Sequence, residues 1–260
     1  MILVGGKPNI GKSVTLISLA LKILQENENV YVLYFTIDDS MYTTISRFIA
    51  NLSELPINVV SNPNFKINKA NLPEAVKRDY ILRRENALEF LKNKARNFNI
   101  KDGTEATTIE KIKSIIESII PLTQGKKLVI FIDNLHNLRS ERSSLSDRHL
   151  YSYISNQINN LATIYQCPII CSVHVTKDAI KNKQFDGSSI KETVELFYDA
   201  KLILFVDSDE DLESNRDDVE LKIYVSKNKQ SGFKGVLNFI AYKSISKCKE
   251  QENSESKLFS

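Results

Sequence analysis

A chain of 260 residues with 42% hydrophobic and 26% charged residues has the composition of a globular protein with a full hydrophobic core. Its net charge of +3 neither requires nor excludes a nucleic-acid partner, so any basic surface must be local. No apolar run approaches the roughly 18 residues of a membrane span, and the N-terminal apolar residues do not form a signal peptide, so we expect a cytoplasmic protein. Cys167, Cys171 and Cys248 lack the spacing of a zinc site, and the first two flank an apolar run, which favours buried thiols.

Short β-type segments alternate with longer helical patterns along the chain. The predicted strands comprise residues 2–5, 30–36, 128–133, 169–173, 201–206, 221–226 and 236–241. The predicted helices comprise residues 13–25, 75–97 (as one or two helices), 109–120 and 154–165. This alternation is typical of an α/β fold with a mostly parallel central sheet and helices on both faces. The predicted buried face of the first helix consists of Leu16, Leu19, Ala20 and Ile23.

Polar stretches interrupt this pattern. Residues 138–149 and the more basic residues 176–189 follow predicted strands and are interpreted as loops, the first of them mobile. The acidic residues 208–218 predict a turn or hairpin, so we expect the last strands to form an antiparallel C-terminal edge. Residues 1–247 are therefore interpreted as one domain and residues 248–260 as a polar, disordered tail.

The strongest chemical signal is a segment of the form G-x-x-x-x-G-K-S between the first predicted strand and the first predicted helix. Glycines there let backbone N–H groups surround phosphates, and the positive end of the helix dipole adds to the attraction. Lys12 is expected to reach the β- and γ-phosphates of ATP, and the Ser13 hydroxyl to bind Mg²⁺. The predicted nucleotide-binding residues of this segment are Gly6, Lys7, Pro8, Asn9, Ile10, Gly11, Lys12, Ser13 and Val14.

Acidic residues follow two of the predicted apolar strands. Asp133 ends the strand at residues 128–133, where a carboxylate can hold the hydration shell of Mg²⁺ beside Ser13. Asp38 and Asp39 follow the strand at residues 30–36, where a carboxylate beside the γ-phosphate can polarise the attacking water. We assign catalysis to Asp38, and the alternative for this pair is capping of a helix that begins near residue 40.

Polar side chains also follow two later strands. His174 follows the strand at residues 169–173, where it can sense the γ-phosphate and relay its presence to the next loop; the alternative is a structural histidine. Lys227 and Lys229 follow the strand at residues 221–226 and can point together toward a phosphate on a neighbouring subunit. On the residues alone, a solvated run of charges is favoured over that contact.

In this order and spacing, the motifs resemble the ATPase domain of DnaB-type replicative helicases, which are RecA-like ring motors, from residue 2 to about residue 245. Asp38 stands where the family has its catalytic glutamate, His174 occupies the sensor position, and Lys229 stands at the finger arginine. The resembling segments are residues 6–13 (the P-loop, with the family's Pro8), 35–40 (the catalytic-glutamate segment), 132–135 (the Walker B strand and its exit), 167–170 (the strand before the sensor) and 227–232 (the finger).

The resemblance implies a RecA-like P-loop NTPase fold, with ATP and Mg²⁺ as cofactors and ATP hydrolysis coupled to movement on single-stranded DNA. It also implies a hexameric ring in which ATP lies between subunits, together with replication partner proteins. The same resemblance implies that Lys227 contacts the nucleotide of a neighbouring subunit and that Lys229 assists catalysis. The loops after the third and fourth predicted strands become the segments that grip DNA, because basic side chains there can meet the phosphates. The candidate DNA-binding residues are Arg139, Arg142, Lys177, Lys181 and Lys183.

The sequence departs from the family in three ways. Asp38 replaces a glutamate and withdraws the carboxylate by about one methylene, and such a shift slows catalysis that depends on positioning. Lys229 replaces an arginine and loses its planar fork. The family's N-terminal domain and linker helix are missing, which indicates a fragment or a minimal relative. Two alternatives therefore stand beside the motor: a RecA-like or KaiC-like regulatory ATPase, and a nucleotide-binding module that hydrolyses ATP poorly.

Overall fold

A computed structural model describes residues 1–68, 71–142, 146–182, 185–186, 189–191, 194–208 and 217–251. Its strands are β1 (Ile2–Gly6), β2 (Val30–Thr36), β3 (Phe98–Asp102), β4 (Lys127–Asp133), β5 (Ile169–His174), β6 (Leu202–Asp207), β7 (Asp218–Asn228), β8 (Gly235–Tyr242) and β9 (Lys247–Glu250). Its α-helices are α1 (Lys12–Glu26), α2 (Met41–Ser53), α3 (Ile57–Ser61), α4 (Glu74–Asn93), α5 (Ile109–Ile119), α6 (Asp147–Ile164), α7 (Lys177–Asn182) and α8 (Glu195–Asp199). Shorter helical turns lie at Asn64–Asn68, Ile120–Thr123 and Leu135–Asn137.

The nine described strands form one sheet in the order β3-β2-β4-β5-β1-β6-β7-β8-β9. Neighbours from β3 to β6 pair in parallel, whereas β6 to β9 pair antiparallel. The predicted mostly parallel sheet with an antiparallel C-terminal edge is therefore confirmed. Because parallel strands all end at the same edge, the residues that follow β1, β2, β4 and β5 are brought together there.

The parallel strands are buried on both faces, because successive side chains of a strand enter opposite hydrophobic layers. In β4, Ile130 and Ile132 belong to the layer that also contains apolar residues of α5, α6 and α8. Val129 and Phe131 belong to the opposite layer, with apolar residues of α1 and α2. Helices therefore cover both faces, as the alternation of strands and helices in the sequence predicted. Among the described residues, none of the helices is long and apolar enough to cross a membrane.

Local sequence explains the well-predicted helix α5. The Thr108 hydroxyl accepts a hydrogen bond from the Lys111 N–H and caps the helix at its first turn. Pro121 lies in the helical turn that follows, where it ends the α-helical pattern. The isoleucines that α5 buries recur every three or four residues, which places them on one face; they are Ile109, Ile112, Ile116 and Ile119.

The predicted loops are shorter in the structure. Helix α6 begins at Asp147, and Arg139 pairs through its backbone with residues 107 and 109, so residues 138–142 are anchored rather than mobile. Helix α7 occupies part of the basic segment that was predicted as a loop. The loop prediction for residues 138–149 was wrong only at its end, where α6 begins, and that for residues 176–189 was wrong where α7 forms. Tertiary packing stabilises short helices in polar stretches that isolated chains do not form.

Several other elements were missed or misplaced. Helix α2 was considered only as an alternative, and α3, β3, α8 and β9 were not predicted. Strand β9 pairs with β8, so Cys248 to Glu250 belong to the sheet rather than to a tail, and residues 252–260 lie outside the described residues. Leu19, placed on the buried face of α1, is 40% exposed. Of the predicted acidic turn, residues 209–216 lie outside the described residues; the flanking strands β6 and β7 pair antiparallel.

The cysteines are free thiols, as predicted. Cys167 and Cys171 are buried, and burial raises their pKa values to about 11 and about 12. Cys248 is partly buried in β9, and burial raises its pKa to about 12. Because the thiolate is the reactive form of cysteine, these pKa values describe structural residues rather than nucleophiles.

Candidate active site

A cleft of about 440 Å³ lies at the carboxyl edge of the parallel strands. It is lined by residues 8–14 of the P-loop and α1, together with Asp38 after β2, Asp133 at the end of β4 and His174 at the end of β5. The structure thus brings together the predicted phosphate-binding segment, metal-binding residues, catalytic acid and sensor. Four separate elements contribute, so the cleft depends on the sheet order.

The P-loop conformation requires its glycines. Gly11 has φ of 113°, a left-handed region that other residues rarely adopt. At Gly6 a Cβ atom would lie 2.8 Å from both the Ile10 side chain and the Val206 carbonyl oxygen, so no larger residue fits. Asn9 also has a positive φ of 60°, which asparagine tolerates better than most residues. The loop is therefore bent tightly enough to turn backbone N–H groups toward a bound phosphate.

Lys12 is buried at the start of α1. Its ammonium donates hydrogen bonds to the carbonyl oxygens of Gly6 (3.0 Å) and Lys7 (2.9 Å). Loss of solvation lowers the pKa of Lys12 to about 8, and the carboxylates of Asp133 and Asp38 act in the opposite direction. A buried cation whose hydrogen-bond partners are neutral carbonyls gains much from an anionic ligand, which is the arrangement that phosphate binding requires.

Asp133 is a buried carboxylate fixed by two hydroxyl donors. Ser172 donates to its Oδ1 (2.5 Å) and Tyr34 donates to its Oδ2 (3.2 Å). Each carboxylate oxygen can accept two hydrogen bonds, so each can accept one more from the water shell of a cation. Among the described residues, no cluster of three or more His, Cys, Asp or Glu could hold a metal ion. One carboxylate and the hydroxyl of Ser13 in the same cleft instead fit Mg²⁺, which keeps several waters and takes other ligands from phosphates.

Asp38 and Asp39 have different surroundings. Asp38 is exposed to the cleft, and Asn137 donates a hydrogen bond of 2.7 Å to its Oδ1. Asp39 forms an ion pair of 2.8 Å with Arg47 of α2. The cap of α2 is Ser40, whose side chain accepts a hydrogen bond from the Thr43 N–H, so neither aspartate side chain is used as the cap. Asp38 therefore remains available at the cleft, whereas Asp39 is paired.

His174 lies at the end of β5, facing the cleft. Its Nε2 lies 3.5 Å from the amide nitrogen of Asn134, and its ring stacks on His136 at 4.9 Å between centroids. Burial, followed by the charges of Lys12 and Lys191, lowers the pKa of His174 below its ordinary value. The imidazole is therefore neutral near pH 7, and in that state one ring nitrogen donates while the other accepts.

Lys227 and Lys229 lie at the opposite edge of the sheet. Asn228 pairs with Leu202, and Leu202 pairs with Ile2 at the amino end of β1, far along the strand from the P-loop. The Lys227 ammonium donates to the carbonyl oxygens of Phe197 and Tyr198 at the end of α8, within its own subunit, whereas both lysines were expected to point toward a phosphate on a neighbouring subunit. Lys229 is exposed. Any contact of these lysines with a nucleotide must therefore be made to another subunit.

Of the candidate DNA-binding residues, Arg139 and Arg142 follow β4 and Lys181 follows β5, two strands that end at the cleft. Arg139 is exposed, and the Arg142 guanidinium lies 4.4 Å from the centre of the Tyr153 ring, a cation–π contact. Lys181 is exposed on α7. Lys177 begins α7, but its side chain and the whole of Lys183 lie outside the described residues.

Four side chains near the cleft were not predicted as functional: Arg47, Asn134, His136 and Asn137. Three of them follow Asp133 within four residues, and their polar character directly after an apolar strand was a signal that could have identified them. Arg47 reaches the cleft from α2, a helix that was considered only as an alternative, so its position required the tertiary structure.

Comparison with known proteins agrees with this geometry. The chain superposes on a solved structure described as an ATPase domain with a TM-score of 0.82 at 19% identity, covering 96% of this chain and 84% of that chain. A structure described as a DnaB-like replicative helicase and its interactions with primase gives a TM-score of 0.80 at 19% identity, covering 97% of this chain and 57% of that chain. No curated protein matches the sequence.

These structural likenesses are too distant in sequence to show more than the fold. The family itself is established by a model for the DnaB-like helicase C terminal domain, which matches residues 1–249. The P-loop segment, Asp133 and the strand order fall within that match, and the sheet and cleft provide its structural counterpart. The chain belongs to the family of DnaB-like helicase C-terminal domains.

Proposed function

We propose that this domain is a motor that couples ATP hydrolysis to movement on single-stranded DNA. The family to which it belongs consists of ATP-hydrolysing DNA helicases. The observation that carries the proposal is the cleft in which Lys12, Asp38, Asp133 and His174 meet beside the P-loop. A phosphate-binding segment, a fixed carboxylate, an available acid and a sensor are the parts that phosphoryl transfer to water requires.

Each residue of the cleft has a role that follows from its surroundings. The P-loop backbone and Lys12 bind the phosphates and stabilise the charge that develops during transfer. Ser13 and Asp133 hold Mg²⁺, which when bound neutralises charge on the phosphate oxygens. Asp38 orients the attacking water, and its contact with Asn137 fixes the carboxylate. His174 contacts the γ-phosphate, so its position reports whether ATP or ADP is bound.

The proposal extends to a ring of identical subunits, hexameric as in the family. Lys229 is exposed at the edge of the sheet opposite to its own cleft, so a heterologous, head-to-tail contact can bring it to the nucleotide of a neighbour. Lys227 supports that edge from within by holding the end of α8. The single-stranded DNA is gripped by the segments that contain Arg139, Arg142 and Lys181, together with Lys177 and Lys183. Primase, named with one structural relative, is the class of replication partner that we assign.

The test is ATP turnover measured with and without single-stranded DNA. We expect stimulation by DNA in the native protein and a loss of about 100-fold or more in turnover on Lys12→Ala, because a phosphate-binding cation is removed from a desolvated site. The matched control is Lys22→Ala on the same helix, where the ammonium is exposed and pairs with Glu26, so its turnover stays at the native level.

Two results would contradict the motor. If single-stranded DNA does not stimulate ATP turnover at any protein concentration tested, the domain is a regulatory ATPase rather than a motor. Native turnover as low as that of Lys12→Ala, with nucleotide binding intact, would leave a nucleotide-binding module whose Asp38 does not support hydrolysis.

A further inference from the structure

A second histidine, His136, packs against the ring of His174, the predicted γ-phosphate sensor. His136 belongs to the helical turn at Leu135–Asn137 and is buried, with 7% of its surface exposed. Its ring is nearly parallel to that of His174, with an interplanar angle of 13°. His136 does not line the cleft, so it cannot contact the nucleotide itself. It contacts two residues that do line the cleft, Asn134 and His174, and its ring stacks on His174.

Both ring nitrogens of His136 have partners, and the partners determine its tautomer. The backbone N–H of His174 donates to Nδ1 at 3.1 Å. Because a backbone N–H can only donate, Nδ1 carries the lone pair and the proton of the neutral ring is on Nε2. Nε2 lies 3.4 Å from the carbonyl oxygen of Lys191, which can only accept. The imidazole therefore bridges a donor on one segment and an acceptor on another.

The two segments that His136 bridges, residues 174–176 and residues 189–191, pair as a short antiparallel ladder. Lys191 N–H donates to the His174 carbonyl (3.1 Å), Thr176 N–H donates to the Ser189 carbonyl (2.8 Å), and Val175 pairs with Ile190. The ladder joins the two ends of the basic segment that contains α7. Its bonds connect main chains, whereas the His136 ring contacts the His174 imidazole, the group expected to meet the γ-phosphate.

The backbone of His136 is held firmly. The Tyr151 hydroxyl donates to its carbonyl oxygen at 2.8 Å, and its N–H donates to the side-chain oxygen of Asn134 at 2.8 Å. A ring on this backbone contacts both the sensor and the ladder, and this places it between the two.

We propose that His136 is a positioning residue that transmits the response of His174 to the γ-phosphate into residues 189–191, and so into the basic segment that the ladder closes. The inference rests on the proposed function, because it takes His174 as the group that meets the γ-phosphate. The ladder bonds hold residues 174–176 against residues 189–191, and the His136 ring makes that contact depend on the nucleotide.

Hydrogen exchange of the backbone amides tests this without measuring turnover. The native protein is compared with bound Mg²⁺–ADP and with Mg²⁺–ADP–beryllium fluoride, which supplies a γ-phosphate mimic. We expect amides at residues 174–176 and 189–191 to exchange at least about fivefold more slowly with the mimic, the lower end of ordinary coupling energies. In His136→Phe, which keeps an aromatic ring but has no polar ring atom, the difference at residues 189–191 disappears. The matched control His149→Phe makes the same substitution at an exposed histidine of α6 and keeps the native response.

Protection of residues 6–13 separates the outcomes. If these P-loop amides are not protected by nucleotide in the native protein, the proposed function fails and the relay with it. If they are protected but residues 189–191 do not respond to the mimic, or if His136→Phe responds as the native protein does, the relay is overturned and the proposed function stands. Should His136→Phe not fold, His136→Asn decides, because its shorter amide keeps an acceptor near the Nδ1 position but does not reach the Lys191 carbonyl.

Discussion

At the scale of single residues, Lys12 is expected to make nucleotide binding depend on pH. Its ammonium is removed from water and bonded to two carbonyl oxygens, and this loss of solvation lowers its pKa to about 8. Phosphates favour the charged form, so the pKa of Lys12 rises when nucleotide binds. Between the two pKa values, binding must take up a proton.

We therefore expect the dissociation constant for Mg²⁺–ATP to rise about tenfold from pH 7 to pH 9, since the free protein loses the Lys12 proton above pH 8. Calorimetric titration in two buffers of different ionisation enthalpy measures both the affinity and the proton uptake. Lys12→Arg is the control, because arginine does not titrate in this range and its affinity should be independent of pH. A native affinity that is constant to pH 9 would contradict this account of Lys12.

The adjacent residues Asp38 and Asp39 have the same side chain but different surroundings in the structure. Asp38 and Asp39 are chemically equivalent, and from the sequence either could act on water or cap a helix. The ion pair of Asp39 with Arg47 and the cap supplied by Ser40 leave Asp38 as the acid available to the cleft. These partners come from α2, so the assignment depends on how that helix packs beside β2.

At the scale of elements, α1 connects the P-loop to the hydrophobic core. The helix buries Leu16 completely between itself and the sheet, whereas Leu19 is 40% exposed. The sequence pattern placed both leucines on one face, because residues three apart are neighbours on a helix. The structure instead centres the buried face on Leu16, Ala20 and Leu24, with Ile17 and Leu21 beside them.

This difference predicts unequal effects of the same substitution. Leu16→Ala should lower the free energy of unfolding by about 2–5 kcal/mol, because it leaves a cavity in a packed layer. Leu19→Ala should change it by no more than about 0.5 kcal/mol, as surface substitutions do. Urea unfolding followed by circular dichroism measures both variants against the native domain. Equal losses would show that the face containing Leu19 is buried after all.

Elements were predictable where a local pattern carries the information. The apolar strand β4 and the isoleucine face of α5 depend only on neighbouring residues, and both were predicted within two residues of their observed bounds. Strand β3 (Phe98–Asp102) alternates Phe98 and Ile100 with Asn99 and Lys101, but this pattern covers only five residues directly after a charged helical stretch, and it was missed; the strand pairs with β2. Helix α7 likewise follows a strand end in a polar stretch, where tertiary contacts determine the conformation.

At the scale of the whole molecule, the sheet separates the two halves of the proposed catalytic machinery. The P-loop lies at the carboxyl edge of β1, and Lys229 follows β7 at the opposite edge. One subunit therefore cannot supply both groups to one nucleotide. In a head-to-tail ring, each active site combines the P-loop of one subunit with Lys229 of the next.

Mixing two inactive variants tests this arrangement. Lys12→Ala and Lys229→Ala should each lose turnover, but in an equal mixture about a quarter of the interfaces combine an intact P-loop with an intact Lys229 if subunits associate at random. We expect the mixture to recover about that fraction of native turnover in a phosphate-release assay. Activity that is merely the average of the two variants would show that Lys229 does not act on a neighbouring subunit.

The sequence by itself determined the phosphate-binding segment, the apolar strands that carry Asp133 and His174, and the family resemblance, because each of these is encoded in residues close together in the chain. Only the tertiary structure decided which aspartate is available, that His136 stacks on His174, and that Lys229 lies at the opposite edge from the cleft. Those facts depend on which strands become neighbours and in which direction they run. Strand pairing is set by long-range packing, and no local pattern of residues contains it.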